Sequence, residues 1–181
     1  MNNMKKHIDE NALWQQCISF HGHECGGLLI GFKASLLAIE LLEIEFSQDE
    51  EIVCITENDA CGVDAIQVIL GCTAGKGNLL FHIKGKQAYS FYDRSNGKSV
   101  RLVLRDLPRQ EGASKLDYMK EMDPASMFDV KKVHEELPED ARIFMSFPCD
   151  VCGEMTAEPM LRLSEDKKLC LDCYKPYERF R

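Results

Sequence analysis

The stretch Gly26-Gly-Leu-Leu-Ile-Gly-Phe-Lys-Ala-Ser-Leu-Leu-Ala-Ile-Glu-Leu-Leu-Glu43 decides how the rest of the chain must fold. On a helix, Leu28, Leu29, Ile30, Phe32, Leu36, Leu37, Ile39, Leu41 and Leu42 cover most of the circumference, with Lys33, Ser35 and Glu40 the main interruptions. A helix that is apolar nearly all round is buried on all sides. It is therefore expected to be central to its domain or to lie at a homodimer interface. The same run is too short and too polar to span a bilayer. No N-terminal segment has the charged-then-apolar pattern of a signal peptide. The expectation is a cytoplasmic protein with no membrane partner.

Immediately upstream stands His21-Gly-His-Glu-Cys25. If this segment is extended, alternate side chains share a face, so His21, His23 and Cys25 point the same way. A cysteine at a helix N-terminus meets the positive end of the dipole, which favours its thiolate. The pattern is that of a metal or nucleophile site on the lip of the buried helix.

Working outward, Asp9 or Asn11 caps a first helix through Leu13, Trp14, Cys17, Ile18 and Phe20, closed at Gly22. Cys17 falls on its apolar side and reads as buried filler. Glu51–Thr56 is β-branched and strand-like. A helix follows from Cys61 to Gly71, and then three strand-like runs, 78–83, 87–92 and 99–105, are expected to form an antiparallel meander. After Pro108, Gln110–Lys120 is a polar, loose helix, and Asp123-Pro124 starts another that Pro138 stops near Leu137. The fold class is α+β, a mixed or antiparallel sheet packed with a buried central helix, plus a small C-terminal zinc ribbon. The domain boundary falls between residues 1–141 and 142–181.

The ribbon is read from its cysteines. Cys149-x-x-Cys152 and Cys170-x-x-Cys173 are separated by 17 residues, the spacing of a four-thiolate structural zinc site. A module this small cannot bury enough core alone, whereas zinc contributes about 10–16 kcal/mol to such modules. Nine cysteines, an odd number without a secretion signal, fit reduced thiols and metal ligation better than a disulfide framework. The net charge of -8 disfavours general binding to phosphate backbones. Nucleic acid is thus an admissible but unfavoured partner of the ribbon.

Glu57, Asp59, Cys61, Asp64, Gln67, Cys72 and Thr73 gather around the third helix. The loop Gly71–Gly77 lacks the GxxxxGK[ST] spacing and follows a helix, so it is not a phosphate loop; a weak anion nest involving Lys76 is the most it offers. Cys61 and Cys72 bracket the helix, about 16 Å apart at 1.5 Å rise per residue. They cannot share one ion, because metal–thiolate bonds are about 2.3 Å. Cys61, at the N-terminus, is favoured to complete a core site with His21 and His23. Cys25 is then a fourth ligand or a nearby nucleophile, and Asp64 orients a ligand from behind. The mixed imidazole and thiolate set suits zinc, iron or nickel.

His21-Gly-His-Glu-Cys25, with Cys61–Thr73 and Gly75-Lys-Gly-Asn-Leu79, resembles the E-subunit family of formylmethanofuran dehydrogenase over about residues 12 to 105. The resemblance implies an α+β homodimer, in some members with a C-terminal zinc ribbon. It also implies association with reduction of carbon dioxide to a formyl group by a larger molybdenum or tungsten oxidoreductase. Where the family usually has proline after the cysteine, this chain has Gly26, which loosens the helix start. The functional expectation is a metal-binding protein, either a redox or one-carbon enzyme or a subunit of one. The alternative is a regulatory or scaffold protein whose ribbon binds nucleic acid or a partner protein.

Overall fold

The computed structural model describes residues 9–108 and 114–180, which divide into two compact units at Ala141/Arg142. In the first unit α1 (Glu10–His21) is capped by the Asp9 carboxylate, which accepts the Ala12 N–H at 3.0 Å. It closes at Gly22, whose φ of 91° supplies the left-handed turn that a helix C-terminus needs. The second helix, α2 (Gly26–Leu42), is buried along most of its length, including Lys33 and Ser35. The two polar groups find backbone partners: Lys33 Nζ donates to the Lys120 and Met122 carbonyls, and Ser35 Oγ to the Gly31 carbonyl. A strand β1 (Ile52–Thr56) and a helix α3 (Gly62–Leu70) follow.

The remaining elements of this unit are β2 (Leu79–Phe81), β3 (Ala88–Asp93), β4 (Ser99–Leu104), α4 (Lys115–Glu121), α5 (Pro124–Met127) and β5 (Phe128–Lys131). The sheet order is β2-β1-β3-β4-β5, with β2 parallel to β1 and the other neighbours antiparallel. It is therefore a mixed sheet packed against a central buried helix, the expected α+β class. One face, with Cys54, Tyr89, Phe91 and Leu102, forms the main core with the helices. The other carries a smaller cluster of Val53, Ile55 and Tyr92.

Three local expectations are corrected. The meander is real only for β3 and β4, because β2 lies on the far side of β1 and parallel to it. The reason is Asn78, whose buried amide donates to the Ile52 and Asp49 carbonyls at 2.8 and 3.1 Å and ties the start of β2 to β1. The helix expected from Asp123 to Leu137 is a single turn. Phe128 leaves it to bury completely, and residues 128–131 pair with β4, whose edge offers hydrogen-bond partners. Segment 132–138 crosses the second sheet face, where the Glu135 carbonyl accepts from Tyr92 Oη and the Pro138 carbonyl from Arg94. Third, His21–Cys25 is a turn between two helices rather than an extended strand. Of the polar helix expected over Gln110–Lys120, residues 110–113 lie outside the described residues, and α4 begins at Lys115.

The second unit contains two hairpins, β6 (Ser146–Pro148) with β7 (Met155–Ala157), and β8 (Arg162–Ser164) with β9 (Lys167–Leu169). No helix among the described residues is long and apolar enough to cross a membrane.

Candidate metal centre

In the first unit the junction of α1 and α2 builds the site. His21 is the last residue of α1, and the left-handed Gly22 reverses the chain. The His21 and His23 rings then lie 4.5 Å apart, centroid to centroid, tilted by 36°. Cys25 caps α2, and its Sγ accepts the Leu28 N–H at 3.3 Å. The donor atoms of His21, His23 and Cys25 all lie within 4.8 Å of one another. His23 is exposed and the other two half-buried, so an ion held there would remain open to solvent on one side.

Asp64, in the first turn of α3, accepts a hydrogen bond from His21 Nδ1 at 2.7 Å through Oδ2. Its other oxygen takes one from Gln67 Nε2 at 3.1 Å. With Nδ1 protonated toward the carboxylate, Nε2 keeps its lone pair, and this atom sits 3.8 Å from Cys25 Sγ. A carboxylate behind a histidine fixes the tautomer and ring orientation and raises ligand basicity. Sequence spacing singled out Asp64, but only the fold shows that it acts through His21.

Cys61 falls outside the three-residue cluster and lies beside Cys25. A β-carbon placed on Gly27 would be 3.5 Å from Cys61 Sγ and 3.9 Å from Cys25 Sγ. Cys61 makes no capping bond to α3, and burial, then the hydrogen bond to Cys25, pushes its thiol up. Cys72 is remote from this group: it is fully buried, donates to the Ile52 carbonyl at 3.4 Å, and burial pushes its thiol up to about 12. Lys76 Nζ donates to the Ser47 carbonyl at 2.8 Å, so the anion nest lacks its cation.

Sequence reading missed Glu24. Its carboxylate accepts from Trp14 Nε1 at 3.1 Å and pairs with Lys120 Nζ at 2.7 Å. It lines a cleft of about 340 Å³ together with Trp14, Leu29, Phe32 and Lys33. No short-range motif links these residues, which come from three helices.

In the second unit Cys149, Cys152, Cys170 and Cys173 bring their sulfurs within 4.8 Å of one another. Gly153, at φ 77°, turns the first knuckle, and its N–H bonds the Cys149 carbonyl at 2.9 Å. The Cys170 N–H points at Cys149 Sγ, 3.4 Å away, as thiolate-directed amides do in such knuckles. Backbone N–H groups hold the buried Cys149 thiol down to about 6. Four clustered thiols of this kind fit a tetrahedral structural zinc, with no position left for chemistry.

The fold and the cysteine cluster together define an α+β metal-binding protein with a C4-type zinc finger. Residues 20–150 match the family model described as FmdE, Molybdenum formylmethanofuran dehydrogenase operon, and the chain belongs to that family. Residues 142–179 match the prokaryotic dksA/traR C4-type zinc finger. A solved structure of an FmdE-like protein of tungsten formylmethanofuran dehydrogenase, from Syntrophus aciditrophicus, aligns with a TM-score of 0.71 and 26% identity, over 92% of each chain. A probable S-adenosyl-L-methionine-binding protein of Archaeoglobus fulgidus is 28% identical over 191 aligned positions, covering 87% of this chain. The chain spans about half of that relative, 51% of its length.

Proposed function

We propose that the first unit binds a zinc, iron or nickel ion through His21, His23 and Cys25, and that the chain serves one-carbon redox chemistry. In this reading it is an enzyme or, by the family's association, a homodimeric cytoplasmic subunit accompanying a larger molybdenum or tungsten oxidoreductase. The observation that carries it is the Asp64–His21 hydrogen bond, which leaves His21 Nε2 facing Cys25 Sγ. An imidazole pair and a thiolate suit a borderline transition metal. Three protein ligands leave a coordination position for a small molecule, the arrangement of catalytic rather than structural sites. A metal held there would supply Lewis-acid or redox chemistry. Asp64 keeps the His21 tautomer, Gln67 holds Asp64, and the α2 N-terminus positions Cys25. Cys61 stands behind Cys25 as an additional sulfur.

Metal content per chain tests this. Wild-type protein is expected to carry two metal equivalents, and His23→Ala and Cys25→Ala one, with the zinc finger retained. One equivalent in the wild type, unchanged in His23→Ala, would sink the core site.

The zinc finger favours a second, compatible role in contacting a partner protein. Val151, Met155, Leu163 and Leu171 are all more than half exposed, and a scaffold role would use such apolar groups. Its seven basic and seven acidic residues from Arg142 onward give no basic bias toward nucleic acid. Flat salt dependence, or absence, of DNA binding is the expected result.

A further inference from the structure

We propose that Cys25 and Cys61 are an oxidation-sensitive dithiol that closes to a reversible disulfide in the presence of a peroxide, withdrawing the Cys25 sulfur from His21 and His23. The inference stands on the two sulfurs and needs no bound metal; only its consequence for metal retention rests on the preceding proposal.

The placement of the pair is the first argument. Both cysteines are half-buried, so a small oxidant reaches them while bulk solvent is partly excluded. They come from different elements, the start of α2 and the start of α3, and their thiols share a hydrogen bond. What lies between them is the bare Cα of Gly27: a methyl group there would be 3.1 Å from Cys61 Cβ and within 3.9 Å of both sulfurs. Glycine keeps that space clear, so neither sulfur is walled off from the other.

The other cysteines supply the contrast. Cys17, Cys54 and Cys72 are completely buried, and Cys54 and Cys72, although neighbours, are shut away from any solute. The remaining four cysteines form the zinc cluster. Cys25 and Cys61 are therefore the accessible core pair.

The reaction balances with a peroxide as the two-electron oxidant. The Cys25 sulfur attacks one peroxide oxygen, forming an S–O bond as the O–O bond breaks, and the departing hydroxide leaves as water with the thiol proton. The Cys61 sulfur then attacks the Cys25 sulfur. An S–S bond forms, the S–O bond breaks, and the second hydroxide leaves as water with the Cys61 proton. The two sulfurs together lose two electrons and the peroxide becomes two waters. A dithiol reductant reverses the result by exchange.

The test treats the full-length protein with hydrogen peroxide, alkylates free thiols, digests without reductant and locates cross-links by tandem mass spectrometry. The expected product is a Cys25–Cys61 linkage that disappears with dithiothreitol, while Cys17, Cys54 and Cys72 remain alkylatable after denaturation. In Cys61→Ser, with no second sulfur to condense, Cys25 is expected to proceed to sulfinic acid. Alkylated Cys25 and Cys61 in the treated wild type, a linkage of Cys25 to another cysteine, or sulfinic Cys25 in the wild type as in Cys61→Ser would overturn the proposal. Metal released into a chromogenic chelator is read in the same samples. A linkage without loss of a core metal counts against the metal reading alone, and a core metal without the linkage counts against the dithiol alone.

Discussion

Gly31 of α2 and Gly62 of α3 meet backbone to backbone: a β-carbon on Gly31 would collide with the Gly62 carbonyl, and one on Gly62 would lie 3.1 Å from the Gly31 nitrogen. This contact sets the distance between the two helices. Through it Asp64 reaches His21, and Cys61 reaches Cys25. Only glycine allows two backbones so close.

Gly31→Ala is therefore expected to destabilise the protein by about 1–3 kcal/mol, the range for overpacked interiors, and to loosen the metal site with it. Gly75→Ala, at a glycine with nothing within 4 Å of a new β-carbon, should stay within about 0.5 kcal/mol of wild type. Urea unfolding of the two variants decides. Equal midpoints would show that the helices tolerate the larger separation.

Asp64→Asn keeps the shape of the side chain and removes the charge that holds His21. Metal affinity of the core site is expected to fall about 10–100-fold, with the zinc finger unaffected. Competitive titration against a chelator of known affinity measures it, and an unchanged affinity would mean that Asp64 does not act through His21.

The buried pair of Arg101 and Glu57, 2.6 Å apart and both at most 5% exposed, is a point of vulnerability. The Arg101 guanidinium is the main reason that the Glu57 carboxyl lies below its usual range. Its stabilising effect is present above the ordinary carboxylate range and is lost as pH falls through the lowered value. Arg101→Met leaves a buried charge alone and should cost about 3–5 kcal/mol at neutral pH. The deficit should shrink in acid, where Glu57 is protonated, and shrink at pH 7 when Glu57→Gln is added. A deficit independent of pH would assign the loss to packing.

Zinc retention by the C-terminal unit should depend on pH through Cys149. Its thiol is held down to about 6, so the thiolate persists well below the ordinary thiol range, and the metal–ligand interaction weakens as pH falls through that value. Protons compete with metal for such ligands. Release of zinc on acidification is expected with a midpoint near or below pH 6, with the hairpins 146–157 and 162–169 losing order together. Release already complete at pH 7 would contradict this.

How much was legible depended on the range over which each feature is encoded. The buried helix 26–42 and its glycine-closed neighbour 10–21 were readable because periodicity and caps lie within the segment itself. The helix expected to reach Leu137 was misread for the opposite reason. Nothing within residues 124–137 announces that the β4 edge lies alongside and that Phe128 is needed in the core. The core site was half legible: His21, His23, Cys25, Cys61 and Asp64 stood out by type and spacing. The sequence reading paired Cys61 with the histidines, whereas the geometry gathers Cys25 with them and leaves Cys61 beside Cys25.

By itself, then, the sequence determined the zinc finger, the central helix and the α+β class, since ligand spacing and apolar periodicity are local properties of the chain. Only the tertiary structure decided which sulfur faces the histidines, that Asp64 supports His21, and that β2 runs parallel to β1. Those relationships join residues about forty positions apart in the helices, or depend on one amide, that of Asn78, finding its carbonyls. They are set by how closely backbones approach at Gly31 and Gly62, a distance that no pattern within one segment carries.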